Sequence, residues 1–133
     1  MEWSMPMATV QFEQLTPDTQ VFHVTGTIGY KEFLDIISNY GPKVTRHLIW
    51  DFNNADISAL SGDEMRALAS ILSTKVINRT PYSKSAFVAS RDLTFGMSHM
   101  YTAIVSLSGI PYLYSAFRTV EHAIKWIESE TDL

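Results

Sequence analysis

Residues 48–65 read Leu48-Ile49-Trp50-Asp51-Phe52-Asn53-Asn54-Ala55-Asp56-Ile57-Ser58-Ala59-Leu60-Ser61-Gly62-Asp63-Glu64-Met65. Leu48-Ile49-Trp50 followed by Phe52 is a continuous apolar run, the mark of a strand covered on both faces. A short polar loop follows. Ser61 then stands just ahead of a helical stripe made of Met65, Leu68, Ala69, Leu72 and Val76, with Glu64 three residues on. That spacing is a capping box, in which Ser61 accepts from the Glu64 amide and Glu64 reaches back to the Ser61 amide. The cap stabilises the helix by about 1 kcal/mol. A covered strand, a loop and a capped helix together form the repeating unit of a parallel sheet with crossover helices.

The same rhythm extends in both directions. Upstream, Val10, Phe12 and Leu15 alternate with polar residues, Thr16-Pro17-Asp18 marks a turn, and Val21, Phe22 and Val24 begin a second strand, which predicts a hairpin. After Gly26 and Gly29 the period changes, and Tyr30, Phe33, Leu34 and Ile37 form a helical stripe that ends by Pro42. Downstream come a buried strand at Ala86-Phe87-Val88-Ala89, a helix carrying Met97, Met100, Tyr101 and Ile104, a strand from Tyr112 to Phe117, and a closing helix with Val120, Ala123, Ile124 and Ile127. The expected order is β-β-α-β-α-β-α-β-α. This is an α/β domain with a mostly parallel or mixed five-stranded sheet, an N-terminal hairpin and four helices. One domain over residues 1–133 is expected, with its core at about 8–128.

Composition narrows the function classes. The chain has 133 residues, of which 46% are hydrophobic, so roughly two thirds of the unfolded surface can be buried in one core. Fourteen acidic against ten basic side chains give a net charge of −4, which argues against a protein built to grip nucleic acid. With no cysteine there is no disulfide, thiol nucleophile or zinc–thiolate site. The first fifteen residues lack Lys and Arg, so a secretory leader is not expected. The uncharged stretch between Asp92 and Arg118 is broken by Gly109 and Pro111, so no membrane span is expected either. The default compartment is the cytoplasm. Met1, Met5 and Met7 leave the true start open.

Ligands of open α/β sheets usually sit beyond the carboxyl ends of the strands. Those ends are Gly26-Thr27, Asp51-Phe52-Asn53-Asn54 and Ser90-Arg91-Asp92, and none carries a phosphate-loop, dinucleotide, serine-elbow or zinc-protease motif. The four histidines lack ligand spacing, so no metal and no cofactor are expected, and no catalytic residue is nominated. Asp51 is expected to hold loop amides rather than act as a base. A small enzyme or carrier using Asp51, Asn53 and Arg91 as polar contacts ranks last, because no nucleophile–base pair can be named.

A strand ending in Asp51-Phe52, a polar loop, and Ser61-Gly62 opening a helix resembles the STAS domain superfamily, the fold of the anti-sigma-factor antagonists. Further matches are similar to its SpoIIAA-like branch: Leu48-Ile49-Trp50-Asp51, Phe95-Gly96-Met97-Ser98-His99-Met100-Tyr101, Phe117-Arg118-Thr119 and Ala123-Ile124-Lys125-Trp126-Ile127. In that family the loop reads Asp-Ser-Ser-Gly and a partner kinase phosphorylates the second serine. Ser61 and Gly62 match its last two positions, while Ala59 and Leu60 replace the first two, and Asp63 and Glu64 add negative charge nearby. The resemblance implies a non-enzymatic regulatory or interaction module. Ser61 becomes the candidate phosphorylation site, and Asn53, Asn54, Asp56, Ser58 and Gly62 the candidate partner-binding residues, with a kinase or regulator as the partner.

The helix over Phe95–Leu107 carries no charge, whereas a solvated helix normally shows Lys or Glu outward. Ser98, Thr102 and Ser106 are expected on its outer face. Met97, Ser98, Tyr101, Thr102 and Ser106 are therefore candidate homodimer-interface residues, the alternative being crowding by the chain's own segment with Trp3. An apolar small molecule or lipid, held by this helix or by the strand-end crevice, is a weaker expectation. Arg66, Lys75, Arg79, Lys84 and Arg91 make a basic run without an acid, expected to be a solvated face.

Overall fold

In the computed structural model the described residues are 8–75, 79–107, 109 and 112–129, with side chains 72–75 left out. Strands β1 (Thr9–Thr16) and β2 (Thr19–Thr27) form the expected hairpin. They are followed by α1 (Tyr30–Tyr40), a 3-10 turn at Gly41–Lys43, and β3 (His47–Asp56). Then come α2 (Gly62–Lys75), β4 (Lys84–Val88), α3 (Asp92–Ser106), β5 (Leu113–Phe117) and α4 (Val120–Glu128). The sheet order is β1-β2-β3-β4-β5. β1 runs antiparallel to β2, and all other pairs are parallel. The architecture is the one the alternation of periods predicts, with a five-stranded mixed sheet and four helices.

The two-residue period of the strands sorts side chains onto two faces. Phe22, Val24, Leu48, Trp50, Phe52 and Phe87 share one face with buried residues of α1 and α2, including Phe33, Ile36, Met65 and Leu68. Val21, Ile49, Ala86 and Val88 take the other face, where they pack against Ala123 and Ile127 of α4. Register aligns Phe12, Phe22, Trp50 and Phe87 across neighbouring strands. The aromatic rings form a ladder under the helix layer: Phe12–Phe22 at 6.1 Å, Phe22–Trp50 at 5.0 Å, Phe52–Phe87 at 6.1 Å and Phe87–Tyr114 at 6.2 Å between centroids. Such pairs add about 0.5–1.5 kcal/mol each beyond their buried area.

Helix starts follow local chemistry. At α1 the Glu32 carboxylate accepts from the Gly29 amide at 2.7 Å. At α4 the Thr119 hydroxyl accepts from the His122 amide at 3.1 Å. Its other end has no glycine cap; Lys84 serves instead. The Lys84 ammonium, 3% exposed at the head of β4, donates to the carbonyls of Trp126 at 2.7 Å and Ser129 at 2.8 Å. A cation at a helix C-terminus satisfies orphan carbonyls and meets the negative end of the dipole.

The structure corrects two expectations. In α3, Ser98 and Thr102 face inward, 1% and 8% exposed, together with Thr94 and Val105. The Ser98 hydroxyl donates to the Thr94 carbonyl at 2.8 Å and that of Thr102 to the His99 carbonyl at 2.7 Å, so small polar residues face the interior with no unmet hydrogen bond. Met97 and Tyr101 are half-buried toward the sheet, and of the five nominated residues only Ser106 is exposed. Trp3 lies outside the described residues. The basic run is not a single solvated face either: Lys84 is buried, and Arg79 turns inward onto the carbonyls of Arg46 and Lys84. Arg66 is exposed and pairs with Asp63 at 2.7 Å. Val76, and the side chain of Lys75, lie outside the described set.

Candidate functional site

The carboxyl end of the parallel strands is built from β3 and its loop. Asp51 Oδ1 accepts from the Asn53 amide at 3.0 Å; because β3 runs on to Asp56, this bond lies within the strand, where its register against β2 shifts, and not in the loop expected to follow Asp51. Asn53 Oδ1 accepts from the Ser90 amide at 2.9 Å, and Arg91 donates to the Ala55 carbonyl, so the last residues of β3 are tied to the loop after β4. Arg118 extends the tie, donating to the Ser90 carbonyl at 3.0 Å and to Asp92 at 2.7 Å. Asp51, Asn53 and Arg91, the polar contacts expected for a substrate in the strand-end crevice, thus each bond to the protein's own backbone.

From Asp56 onward the chain turns outward. Asp56 accepts from the Ser58 amide at 2.9 Å, and the Ser58 hydroxyl and amide hold its carboxyl below the usual range. Ile57 and Leu60 are buried and pin the loop, leaving Asp56, Ser58, Ala59, Ser61 and Asp63 exposed. The capping box forms as the spacing predicts: the Glu64 amide donates to Ser61 Oγ at 3.1 Å, and the Ser61 amide donates to Glu64 Oε1 at 2.9 Å. Gly62 is half-buried beside it, and Asn54 lies a few residues back on the exposed part of β3. The structure brings Asp56, Ser58, Ser61 and Gly62 onto one continuous edge. It leaves the α3 residues elsewhere.

A cluster that the sequence alone did not reveal spans β1, β2 and β3. His23 Nδ1 lies 2.8 Å from Asp51 Oδ2 and its Nε2 lies 2.6 Å from Glu13 Oε1. Desolvation pulls the imidazole pKa down, but hydrogen bonds and charge from the two carboxylates outweigh it, and the net shift is upward. The only signal available beforehand was strand pairing, because the three residues lie far apart in the chain. Among the described residues no group of His, Asp and Glu has the arrangement of a metal site. No helix of the described residues is long and apolar enough to cross a membrane.

At the opposite, amino end of the parallel strands, the interior is polar. His47 Nδ1 accepts from the Lys84 amide at 3.0 Å, so this nitrogen carries no proton. Burial, with Arg46, Arg79 and Lys84 nearby, lowers the His47 pKa to about 4.

No protein-family model and no curated protein matches the sequence. Among solved structures, the chain is similar to an uncharacterized protein of the DUF3478 family with a SpoIIAA-like fold from Shewanella loihica PV-4. The TM-score is 0.58 at 12% identity, over 96% of this chain and 98% of that one. The Bacillus cell fate determinant SpoIIAA, in its phosphorylated form, aligns at a TM-score of 0.40 and 18% identity, over 90% of this chain and 100% of its own. The chain has a SpoIIAA-like α/β fold, the fold its sequence resembles.

Proposed function

We propose that the protein is a non-enzymatic, STAS-type regulatory module that presents the Asp56–Glu64 edge to a protein partner, with Ser61 as its switch residue. The observation that carries this reading is the geometry of the α2 start. The Ser61 residue is exposed, yet its amide is held by a carboxylate, Glu64 at 2.9 Å. A phosphate on Ser61 would compete for the same free amides, which favour it, and would repel Glu64 and Asp63. Glu64 would be expelled from the cap, changing charge and shape along that edge without disturbing the core. Asn53, Asn54, Asp56, Ser58 and Gly62 frame the footprint, and a kinase or a kinase-like regulator is the partner class.

The test is phosphosite mapping on protein isolated from its own cells, combined with pull-downs using Ser61→Asp and Ser61→Ala. Phosphate on Ser61, and partner recovery that differs between the two variants, is the expected result. Equal recovery with an unmodified Ser61 would reduce the residue to a helix cap.

A second reading, compatible with the first, is a homodimer through α3. It is favoured by Leu93, Met100 and Leu107, 64%, 46% and 90% exposed and spaced one heptad apart on a face without charge. Met100→Lys should then give a monomer in light scattering where the unaltered chain is a dimer; an unaltered chain that is monomeric at high concentration refutes it.

A further inference from the structure

Between the sheet and helices α1, α2 and α3 lies a cavity of about 440 Å³, within the range of about 300–1,000 Å³ in which small-molecule sites fall. Its floor is the aromatic ladder of Phe22, Trp50, Phe52 and Phe87, and Leu34, Ile37, Met65 and Leu68 supply its walls. Ser38 and Pro42 are the exposed residues in its lining, so it reaches solvent where α1 runs into the 3-10 turn. Water occupying such a mostly apolar lining is readily displaced by an apolar ligand.

Among the described residues the lining carries one charge, the guanidinium of Arg79, and no Asp or Glu. Arg79 donates to three neutral acceptors: the Arg46 carbonyl at 2.8 Å, Ser85 Oγ at 2.9 Å and the Lys84 carbonyl at 3.1 Å. One flat face lies over the Tyr112 ring at 4.6 Å. A guanidinium has five N–H donors, so this cation keeps donors to spare, and no carboxylate of the described residues pairs with it. The phenols of Tyr101 and Tyr114 also line the cavity, and neither hydroxyl bonds to a described residue. Burial keeps both phenols neutral, Tyr114 being pushed up to about 12, so both can donate at neutral pH.

We infer that this cavity binds a single-chain amphiphile with a carboxylate head, the head held by Arg79, Tyr101 and Tyr114 and the chain lying on the aromatic ladder. The charge balance selects the head: one guanidinium without a carboxylate among the described residues matches one carboxylate, to which its two remaining N–H groups can donate. A phosphate dianion would leave excess charge buried. Size selects the chain. At about 440 Å³ the cavity lies at the lower end of small-molecule sites, a size that suits one medium-length chain and not a two-chain lipid. Its Arg79 end lies at the amino end of the strands, away from Ser61, while the far wall reaches Ile57, Leu60 and Met65 behind the Ser61 loop, and the inference does not depend on the partner reading.

The test is isothermal titration of the full chain with dodecanoate, 1-dodecanol and dodecyl phosphate, each below its aggregation threshold. Dodecanoate is expected to bind one to one and at least tenfold more tightly than the alcohol or the phosphate. Arg79→Gln should erase the preference for acid over alcohol. Because Arg79 also holds two backbone carbonyls, Tyr114→Phe and the mouth variant Ser38→Trp provide independent checks. Tyr114→Phe should cut dodecanoate affinity severalfold with little effect on dodecanol, and Ser38→Trp should weaken both. Absence of dodecanoate binding, equal affinity for acid and alcohol, tighter binding of the phosphate, or indifference to both Tyr114→Phe and Ser38→Trp would overturn the inference.

Discussion

At the carboxyl end of the parallel strands, Asn53, Arg91 and Arg118 tie β3 and the residue after β5 to the loop after β4 through bonds that lie close to water, whereas at the amino end His47 and Lys84 make their ties from inside the protein. The difference is one of dielectric. Near the surface a lost partner is replaced by water, and each tie contributes about 0.5–1.5 kcal/mol. In the interior, removing one partner strands the other without a substitute, and the penalty rises to that of a buried unpaired group. The carboxyl end can therefore change its charge and shape at little expense to the fold. The amino end is where stability is concentrated, and it holds the Arg79 end of the cavity.

The contrast makes its largest claim at Lys84. Lys84→Ala removes the ammonium from the last carbonyls of α4 and opens a hole under Trp126, whose ring lies 5.3 Å from the nitrogen. A loss of about 3 kcal/mol in urea unfolding is expected. Asn53→Ala, which frees the Ser90 amide near the surface, should cost about 1 kcal/mol. If the two variants unfold at the same urea concentration, the distinction between the ends fails.

His47 sharpens the same point with pH. Its folded pKa is depressed to about 4 from an unfolded value near 6.5, so between these values the unfolded chain binds the extra proton. Stability is expected to be intact above about pH 6.5 and to fall as pH drops toward 4. The loss is about 2 kcal/mol after allowance for partial solvent screening. His47→Gln keeps an acceptor for the Lys84 amide and has no proton to take up, so its stability should vary less over that window. An unchanged slope would place the acid sensitivity elsewhere.

What was legible in the sequence divides along the same line. Strands, helices and the capping box were readable because each rests on a short-range period or spacing: alternation in β1, the stripe of α1, Ser61 and Glu64 three apart. The basic run from Arg66 to Arg91 was misread because charge alone does not reveal that an exposed-looking Lys84 heads a fully buried strand and ends under a distant helix. The phase of α3 was misread for a related reason. Hydrophobicity places Leu and Met inside, but hydroxyls bonded to carbonyls of their own helix let Ser98 and Thr102 take the inner face and leave Leu93 and Met100 out. The cavity depends on how three helices sit over one sheet, and no local pattern encodes that.

Smaller effects belong to the carboxyl end and the open face beside it. Ser61→Ala removes one half of the capping box and should cost about 1 kcal/mol, with the Glu64 amide expected to exchange faster in hydrogen-exchange measurements while the core amides stay protected.

His23 should give the smallest change, and in the opposite sense to His47. Its two nitrogens sit between Glu13 and Asp51, and its folded pKa is raised above the unfolded 6.5. Here it is the folded chain that holds the extra proton, so the cluster contributes most below pH 6.5 and its contribution disappears as pH rises through the folded value. The side chain is a third exposed and Glu13 more so, which lets water and salt screen the pair. His23→Gln should therefore lower stability slightly at pH 6, make no difference at pH 9, and lose its effect in high salt. A variant that is equally destabilised at both pH values would mean that His23 acts through packing between β1 and β3, and that its two carboxylates are neighbours without energetic consequence.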